Sequence, residues 1–563
     1  MQKFLLYLAC SFLLTSVSIA QWDGNPLTVN NPVSTSPLSE GSLFSVTDGA
    51  GGAIAIWIGT DQSNNSIVCA QRKSTSGQIV WTTAAAPKQL FTSANQIIVT
   101  DVAADGGGGV YLCWTDELTD STADIYIQHL NRFGSELFTT GGLRLNNVSG
   151  MQNGEGRLVP DATGIIVGWD VASPDSLFSL TNVAQIYVQR FTGNGTPQWT
   201  PGGVQLCTAP GQRALPAMLK DGSNGVFVAF CDTRNSGIDV NGDPDNIDIY
   251  AQHISNTGAR LWGTGGVVVT NQAFNQYNSF NFNINSIVSD GSGGFILAYN
   301  DYLNSNSNIL QAPIYAQRIN SSGTRLWPAQ GVAISTNTNS FVFFTAVVPD
   351  GSGGAVIAWN ESQFQTLTGK ELAQRITNTG ALSWPAAGIV INPATDTVLN
   401  SSSMTTDANG DYVFCWSKFS VLGGEILKAQ KINNSGSALW DPSGVPVCTN
   451  PGANPNGPVI IKSDGTNTII GWVDERNMAD LDIYDAKLAT SGILVNTVSY
   501  TSAANGNWNL PATWIGNVVP PADADVIIKH LVTANVTTTC NSLSVLTPGS
   551  LTVNSGIHIT VLH

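Results

Sequence analysis

Apolar runs of five to eight residues recur along most of this chain, each closed by Gly, Asn, Asp or Ser. That pattern predicts short β-strands separated by tight turns. One stretch shows the whole cycle: Ser286-Ile-Val-Ser289, the turn Asp290-Gly-Ser-Gly-Gly294, Phe295-Ile-Leu-Ala-Tyr299, a variable segment, Ile314-Tyr-Ala-Gln-Arg-Ile319, and Gly331-Val-Ala-Ile334. No segment sustains a helical period. The four predicted strands of a cycle are labelled a, b, c and d.

The cycle recurs eight times. Its a–b turns begin at Asp48, Asp105, Asp161, Asp221, Asp290, Asp350, Asp407 and Asp464. An aromatic follows each by eight or nine residues: Trp57, Trp114, Trp169, Phe230, Tyr299, Trp359, Trp416 and Trp472. A second marker, Gly-x-x-x-Trp, forms the c–d connection at Gly77/Trp81, Gly134/Phe138, Gly195/Trp199, Gly258/Trp262, Gly323/Trp327, Gly380/Trp384 and Gly436/Trp440. Four-stranded antiparallel units spaced 56 to 69 residues apart predict an all-β fold, an eight-bladed β-propeller with seven blades as the alternative. Radial closure protects its strand edges.

The last cycle supports closure. After Gly492 it lacks both the Trp and strand d, while Gln21-Trp-Asp-Gly-Asn-Pro-Leu-Thr-Val-Asn-Asn-Pro32 lines up with Leu439 to Asn450. The N-terminal segment is therefore expected to complete the final blade, with Trp22 as the missing aromatic. The alternative is that Ile493 to Tyr500 forms the fourth strand. From about Thr501 the pattern changes, and short alternating strands at Val526–Ile528, Leu543–Val545, Leu551–Val553 and Ile557–Val561 predict a small β-solenoid or sandwich. The expected organisation is 1–20 signal peptide, 21–500 propeller and 501–563 a C-terminal β-rich module that the chain leaves incomplete.

The signal-peptide expectation rests on Lys3, the apolar run Phe4 to Val17 and the small-residue site Ser18-Ile-Ala20. A lipoprotein anchored at Cys10 is the alternative. No later segment is apolar enough for a transmembrane helix. With 42% hydrophobic residues the chain can bury a core, and a net charge of −16 disfavours nucleic acid as partner. Seven cysteines remain after the leader, at irregular spacing, so no disulfide framework is expected. Cys113 and Cys415 sit just before repeat tryptophans and read as small buried hydrophobes.

The string Asp-Gly-Ser-Gly-Gly…Ala-Trp…Tyr-Ala-Gln-Arg-Ile-Asn-x-x-Gly-x-x-Leu-Trp resembles repeats of large secreted or cell-surface proteins of Bacteroidetes-type bacteria. Gly506-Asn-Trp-Asn-Leu-Pro-Ala-Thr-Trp-Ile-Gly-Asn-Val-Val-Pro520 resembles modules near the C-termini of such proteins. The resemblance covers nearly the whole mature chain and is specific for architecture, not activity. It implies a secreted or outer-surface location, with type IX secretion as a route. No sorting domain of that kind is seen up to His563.

Repeated residues read as scaffold, so function is sought where units differ. Antiparallel order puts the a–b and c–d turns on one face and the variable b–c and d–a loops, 170–183, 232–247, 271–285 and 300–313, on the other, where binding tends to reside. Asp239, Asn241, Asp243 and Asp245 form the candidate calcium site, because alternating oxygen side chains suit that ion. The loop departs from an EF-hand at Pro244 and Tyr250, and a solvated Asx-turn loop is the alternative. Phe274 and Tyr277 are candidates for ligand contact by stacking on a sugar ring. Asp116, Asp232, Asp301, Glu361 and Asp474 stand two residues after repeat aromatics, with Arg234 and Arg476 close behind two of them. Their recurrence points to ion pairs or turn caps rather than one tuned catalytic pair. Gln71, Gln128, Gln189, Gln252, Gln317, Gln374 and Gln430 recur on strand c and predict one structural hydrogen bond per blade. His129 and His253 replace the neighbouring Arg and read as repeat positions rather than bases.

No catalytic constellation emerges, and no enzyme is expected. The functional expectation is a non-catalytic secreted or cell-surface propeller for binding or display, with a glycan or protein ligand. The alternative is a propeller glycoside hydrolase or sialidase-like enzyme. Against a sialidase, eight of the twelve arginines fall at repeat positions and no Thr precedes the repeat Trp.

Overall fold

The computed structural model describes residues 22, 24–27, 31–118, 123–145, 152–172, 184–237, 245–273, 275–277, 286–301, 313–335, 341–363, 368–392, 398–419, 424–450, 452–462, 467–477, 480–495, 499–520, 524–540 and 542–561. Residues 1–20, the expected signal peptide, and Asp464 lie outside them. Apart from two short 3-10 turns, the described elements are strands. Eight antiparallel blades follow the a-b-c-d order. Blade 1, for example, runs Ser39–Thr47, Ala53–Thr60, Ser66–Lys73 and Lys88–Ser93, and blade 4 runs Arg213–Lys220, Val226–Asp232, Asp248–Ile254 and Val267–Thr270. The architecture is the expected eight-bladed β-propeller, not seven blades.

The ring closes as expected. Blade 8 takes strands a to c from Asn456–Lys462, Thr468–Asp474 and Asp482–Leu488 and its outer strand from Pro32–Ser34. Pro32 pairs with Tyr484, the position at which Pro446 pairs with Lys428 in blade 7. The closing strand thus lies further along the chain than the alignment with Leu439 to Asn450 placed it. Ser499–Thr501 pairs with Asp525–Ile527, so it does not serve as a fourth strand of blade 8.

The core lies between blades. Blades 5 and 6 share one cluster that includes Ile296, Ile314, Trp327, Ile357 and Trp359, and blades 7 and 8 share another. All eight repeat aromatics are buried. So are the seven cysteines, none of which is in a disulfide, and burial pushes the Cys113 thiol up to about 12. Cys113 and Cys415 pack within apolar clusters, as their setting in the sequence suggested.

Two polar devices explain the repeat markers. At each described a–b turn one aspartate oxygen accepts backbone N–H groups within the turn, as Asp290 Oδ1 does from Ser292 and Gly294, both at 2.8 Å. The other oxygen meets a cation or imidazole on strand c: Arg72, His129, Arg190, His253, Arg318, Arg375 or Lys431. A Cβ at Gly294 would lie 2.2 Å from Ile319 O, which explains the last glycine of the turn.

The c–d marker binds blade to blade. Indole N–H groups of Trp81, Trp199, Trp262, Trp327, Trp384 and Trp440 donate to a turn carbonyl of the next blade, at Arg132, Asn256, Ser321, Asn378, Asn434 and Thr490. Trp22 does the same to Thr75 O of blade 1 at 2.7 Å, and so closes the circuit. The marker glycine gives the indole room: Gly436 sits at φ +82°, and a Cβ there would meet Trp384 at 2.9 Å. In each of the seven blades that carry it, the strand-c glutamine accepts from the backbone N–H of the Trp or Phe and donates its amide to the following turn, as Gln317 does to Pro328 O at 2.7 Å.

Between residues 499 and 561 the pairing changes sense. Asp525–Ile528 pairs in parallel with Ser499–Thr501 and Ser542–Val545, and Leu531–Ala534 with Gly506–Asn507 and Ser550–Val553. Parallel neighbours separated by short connections require a chain that returns above itself. Trp508 and Trp514 lie at its core, where the Trp514 indole donates to Trp508 O at 2.7 Å.

Trp22→Ala should lower the unfolding free energy by ~3–5 kcal/mol, because it removes a buried aromatic from the closing blade. Trp22→Phe should cost ~1 kcal/mol for the lost hydrogen bond. Denaturant titration of the two variants checks both values, and a Trp22→Phe variant as stable as the parent would count against the indole bond.

Candidate functional site

The turn face spends its polar groups on the scaffold, so the b–c and d–a loop face is where the blades differ. Two of the variable loops meet there. Ile247, at the end of the blade 4 b–c loop, donates its N–H to Asn275 Oδ1 at 2.8 Å and accepts from Gln276 N at 2.7 Å. The calcium candidate and the aromatic candidate therefore sit on joined segments. Asp245 closes its loop by accepting from Gly237 N at 2.8 Å and Ser236 Oγ at 3.4 Å. Tyr277 is half-buried and pairs in register with Asn300 on blade 5. Asp239, Asn241, Asp243 and Phe274 lie outside the described residues. Among the described residues no three His, Cys, Asp or Glu side chains converge as a metal site.

Beneath the joined loops lies a polar cluster built on cross-strand register. Asp232 ends strand b and Asp248 opens strand c, directly opposite each other. Asp232 is fully buried and is held by two guanidiniums, Arg213 Nε at 2.9 Å and Arg234 Nη2 at 2.7 Å. Arg234 lies over the Tyr250 ring, 3.6 Å from its centroid. Asp248 is equally buried. Asn235 donates to its Oδ2 at 2.7 Å, while Oδ1 has no hydrogen-bond partner. Burial pushes its pKa up to about 6; the Asn235 bond opposes this and the Asp232 charge adds to it.

Blade 8 repeats the arrangement. Asp474 faces Asp482 across strands b and c. Arg476 grips Asp474 at 2.7 Å and stacks on Tyr484 at 4.0 Å. Asp482 Oδ1 again lacks a hydrogen-bond partner, and burial, with Asp480 and Asp474 adding, raises its pKa to about 6. Blades 4 and 8 are four positions apart in a ring of eight, so the two clusters oppose each other. The residues Asp-x-Arg-Asn followed by Asp-Ile-Tyr, at 232–235 with 248–250 and at 474–477 with 482–484, are the signal that could have located both carboxylate pairs.

The other recurring acids are capped locally. Asp116 accepts from Ser93 at 2.8 Å, Glu361 from the Trp359 indole at 3.0 Å, and Asp301 from the side-chain amides of Gln276 and Gln330. Ion pairs and caps account for them, in line with the sequence expectation. His129 and His253 bond to turn aspartates at 3.0 and 2.9 Å and belong to the scaffold.

No protein-family model matches the chain, and no curated protein matches it. Several solved structures are similar in part. An ulvan lyase, described as a new family of polysaccharide lyase, shares 12% identity and a TM-score of 0.40, over 69% of this chain and 91% of that one. A Dyadobacter fermentans protein of unknown function shares 10% identity and a TM-score of 0.34, over 61% and 96%. An endo-arabinase from Bacteroides thetaiotaomicron shares 13% identity and a TM-score of 0.23, over 48% and 92%. Similarity at this level carries no argument about chemistry, and the propeller assignment rests on the strand pairings themselves.

A folded-state pKa raised above its unfolded value means stability present at low pH and lost as pH rises through the folded value. Asp248→Asn should therefore match the parent near pH 4 and exceed it by about 1–3 kcal/mol at pH 8. Chemical denaturation at the two pH values checks this, and a variant less stable at pH 8 would refute the burial argument.

Proposed function

We propose that this protein is a non-catalytic, secreted or cell-surface module for binding or display. In this reading residues 21–500 form a rigid disc that engages a glycan or protein ligand through its b–c and d–a loops, and residues 501–563 form a separate solenoid-like unit. One observation carries the reading. Repeated polar groups on the turn face bond to one another blade after blade, while the opposite face carries segments that differ in length and content. A rigid scaffold presenting variable loops is suited to recognition. The loops around Asp245 and Tyr277 are the proposed contact region, with calcium at 239–245 as an accessory.

A second reading is favoured by a specific observation. Asp248 and Asp482, held near 6 beside a second carboxylate, lie in the range useful to a general acid at neutral pH. Their complete burial weighs against it.

A glycan array probed with the full chain, with calcium and with chelator, tests the first reading. Binding that falls at least ~10-fold in Tyr277→Ala, a loss of about 1.4 kcal/mol, is the expected outcome. Absence of binding to every glycan would eliminate the carbohydrate version. Hydrolysis of chromogenic glycosides that disappears in Asp248→Asn or Asp482→Asn would replace the binding reading with the enzymatic one.

A further inference from the structure

The ring is joined at one seam, where the N-terminal strand meets blade 8 and blade 1. Losing an outer strand elsewhere frays a blade edge; losing this one opens the circle. Among the described residues the closing strand pairs Pro32 with Tyr484 and Ser34 with Ile483, and Asn31 O accepts from Asp485 N at 3.2 Å. Its side-chain anchors converge on Glu40. Ser34 Oγ and Ser36 Oγ each donate to Glu40 Oε1 at 2.6 Å. Glu40 N donates to Leu481 O of blade 8 at 2.9 Å. Glu40 thus touches the closing strand and both blades that it joins, and it is fully buried.

Its place has a reason in the repeat. In blades 6 and 8 the acid two residues after the repeat Trp accepts the indole proton, as Glu361 does from Trp359 and Asp474 from Trp472. Blade 1 has Gly59 at that position, and Glu40 lies opposite it on strand a, beside the Trp57 indole. Blade 1 thus carries its acid on strand a, the strand that touches the seam. There its Oε2 has no hydrogen-bond partner.

We propose that Glu40 is a proton-operated clasp on ring closure, holding the N-terminal strand when protonated and loosening it when ionised. A proton on the carboxyl removes a buried charge while Oε1 still accepts both serine hydroxyls. Ionisation leaves a carboxylate in a dry seam with one oxygen unsatisfied, which is costly. The groups facing it do not compensate. Blade 8 presents Asp482, with Asp474 and its partner Arg476 behind. Blade 1 presents the Cys69 thiol, and among the described residues the closing strand presents the serines. The cations of the seam are engaged: Lys73 with Asp485 at 2.5 Å, and Lys487 with Thr75 O at 3.1 Å. Burial, opposed by the serine hydroxyls and the nearby Trp57 indole and aided by Asp482, moves Glu40 from 4.5 to about 7. Because the folded value is the higher one, closure is fully stabilised below about 4.5 and loses that stabilisation as pH rises through about 7.

Amide hydrogen exchange on the full chain from pH 5 to pH 8.5, corrected for intrinsic exchange, reads the seam directly. Residues 31–41 should open on the order of 100-fold more at pH 8.5 than at pH 5, while strand b of blade 6 (Ala355–Gln363) serves as an unchanged internal control. Glu40→Gln should abolish the step near pH 7 and leave only the smaller opening that Asp482 contributes near pH 6. Asp482→Asn, which removes the facing charge, should complete the transition at lower pH. The proposal is overturned if the parent seam tracks the blade 6 control, or if Glu40→Gln keeps the step near pH 7. Should Glu40→Gln fail to fold, an unshifted midpoint in Asp482→Asn overturns it equally.

Discussion

The structure depends on an indole that reaches from seven of the eight blades into the next. A propeller blade cannot bury its own faces; it buries them against neighbours. That packing is apolar and non-directional, so something must fix the angle and register of successive blades. Here the c–d tryptophan donates to a turn carbonyl of the following blade, and the glycine of that turn leaves room for the ring. The cation on strand c often reaches the same carbonyl, as Arg318 and Trp327 both do at Asn378. Blade 2 has Phe138 in place of the Trp, and there His129 bonds to Gly193 O instead. One carbonyl per blade is a fixed point, and different side chains satisfy it.

Fixing the blades from the turn face relieves the loops of the other face of that role. Loops there can change length without disturbing the ring, because none of the inter-blade indole bonds runs through them. The same freedom exposes that face to charge crowding. Its strand ends carry acids in most blades, and antiparallel register sets two of them opposite each other in blades 4 and 8. Guanidiniums neutralise Asp232 and Asp474. Asp248 and Asp482 lack such a clamp, and burial lets them hold their protons up to about pH 6.

Much of the scaffold was legible in the sequence because it repeats. Eight aspartate turns and eight aromatics gave the blade count, and the missing d strand of the last unit gave the closure. The seven glutamines and the two histidines were assigned to structure for the same reason, and the hydrogen bonds agree. The carboxylate pairs were not legible in this way. Asp232 and Asp248 are separated by a loop, and only strand register makes them neighbours. Glu40 carried no signal, since its partners Ser34, Ser36 and Leu481 come from both ends of the propeller region.

The sequence by itself determined the number of blades, the face on which the loops vary, and the residues that hold the turns, because these are local patterns copied from unit to unit. Tertiary structure alone decided where the N-terminal strand engages and which acids face each other. It also decided which carboxylates are left without a counter-charge. Those outcomes depend on distances across strands and across the seam, and burial has no counterpart in linear order: the same aspartate is an ordinary anion in a loop and a proton-holding group in a dry one.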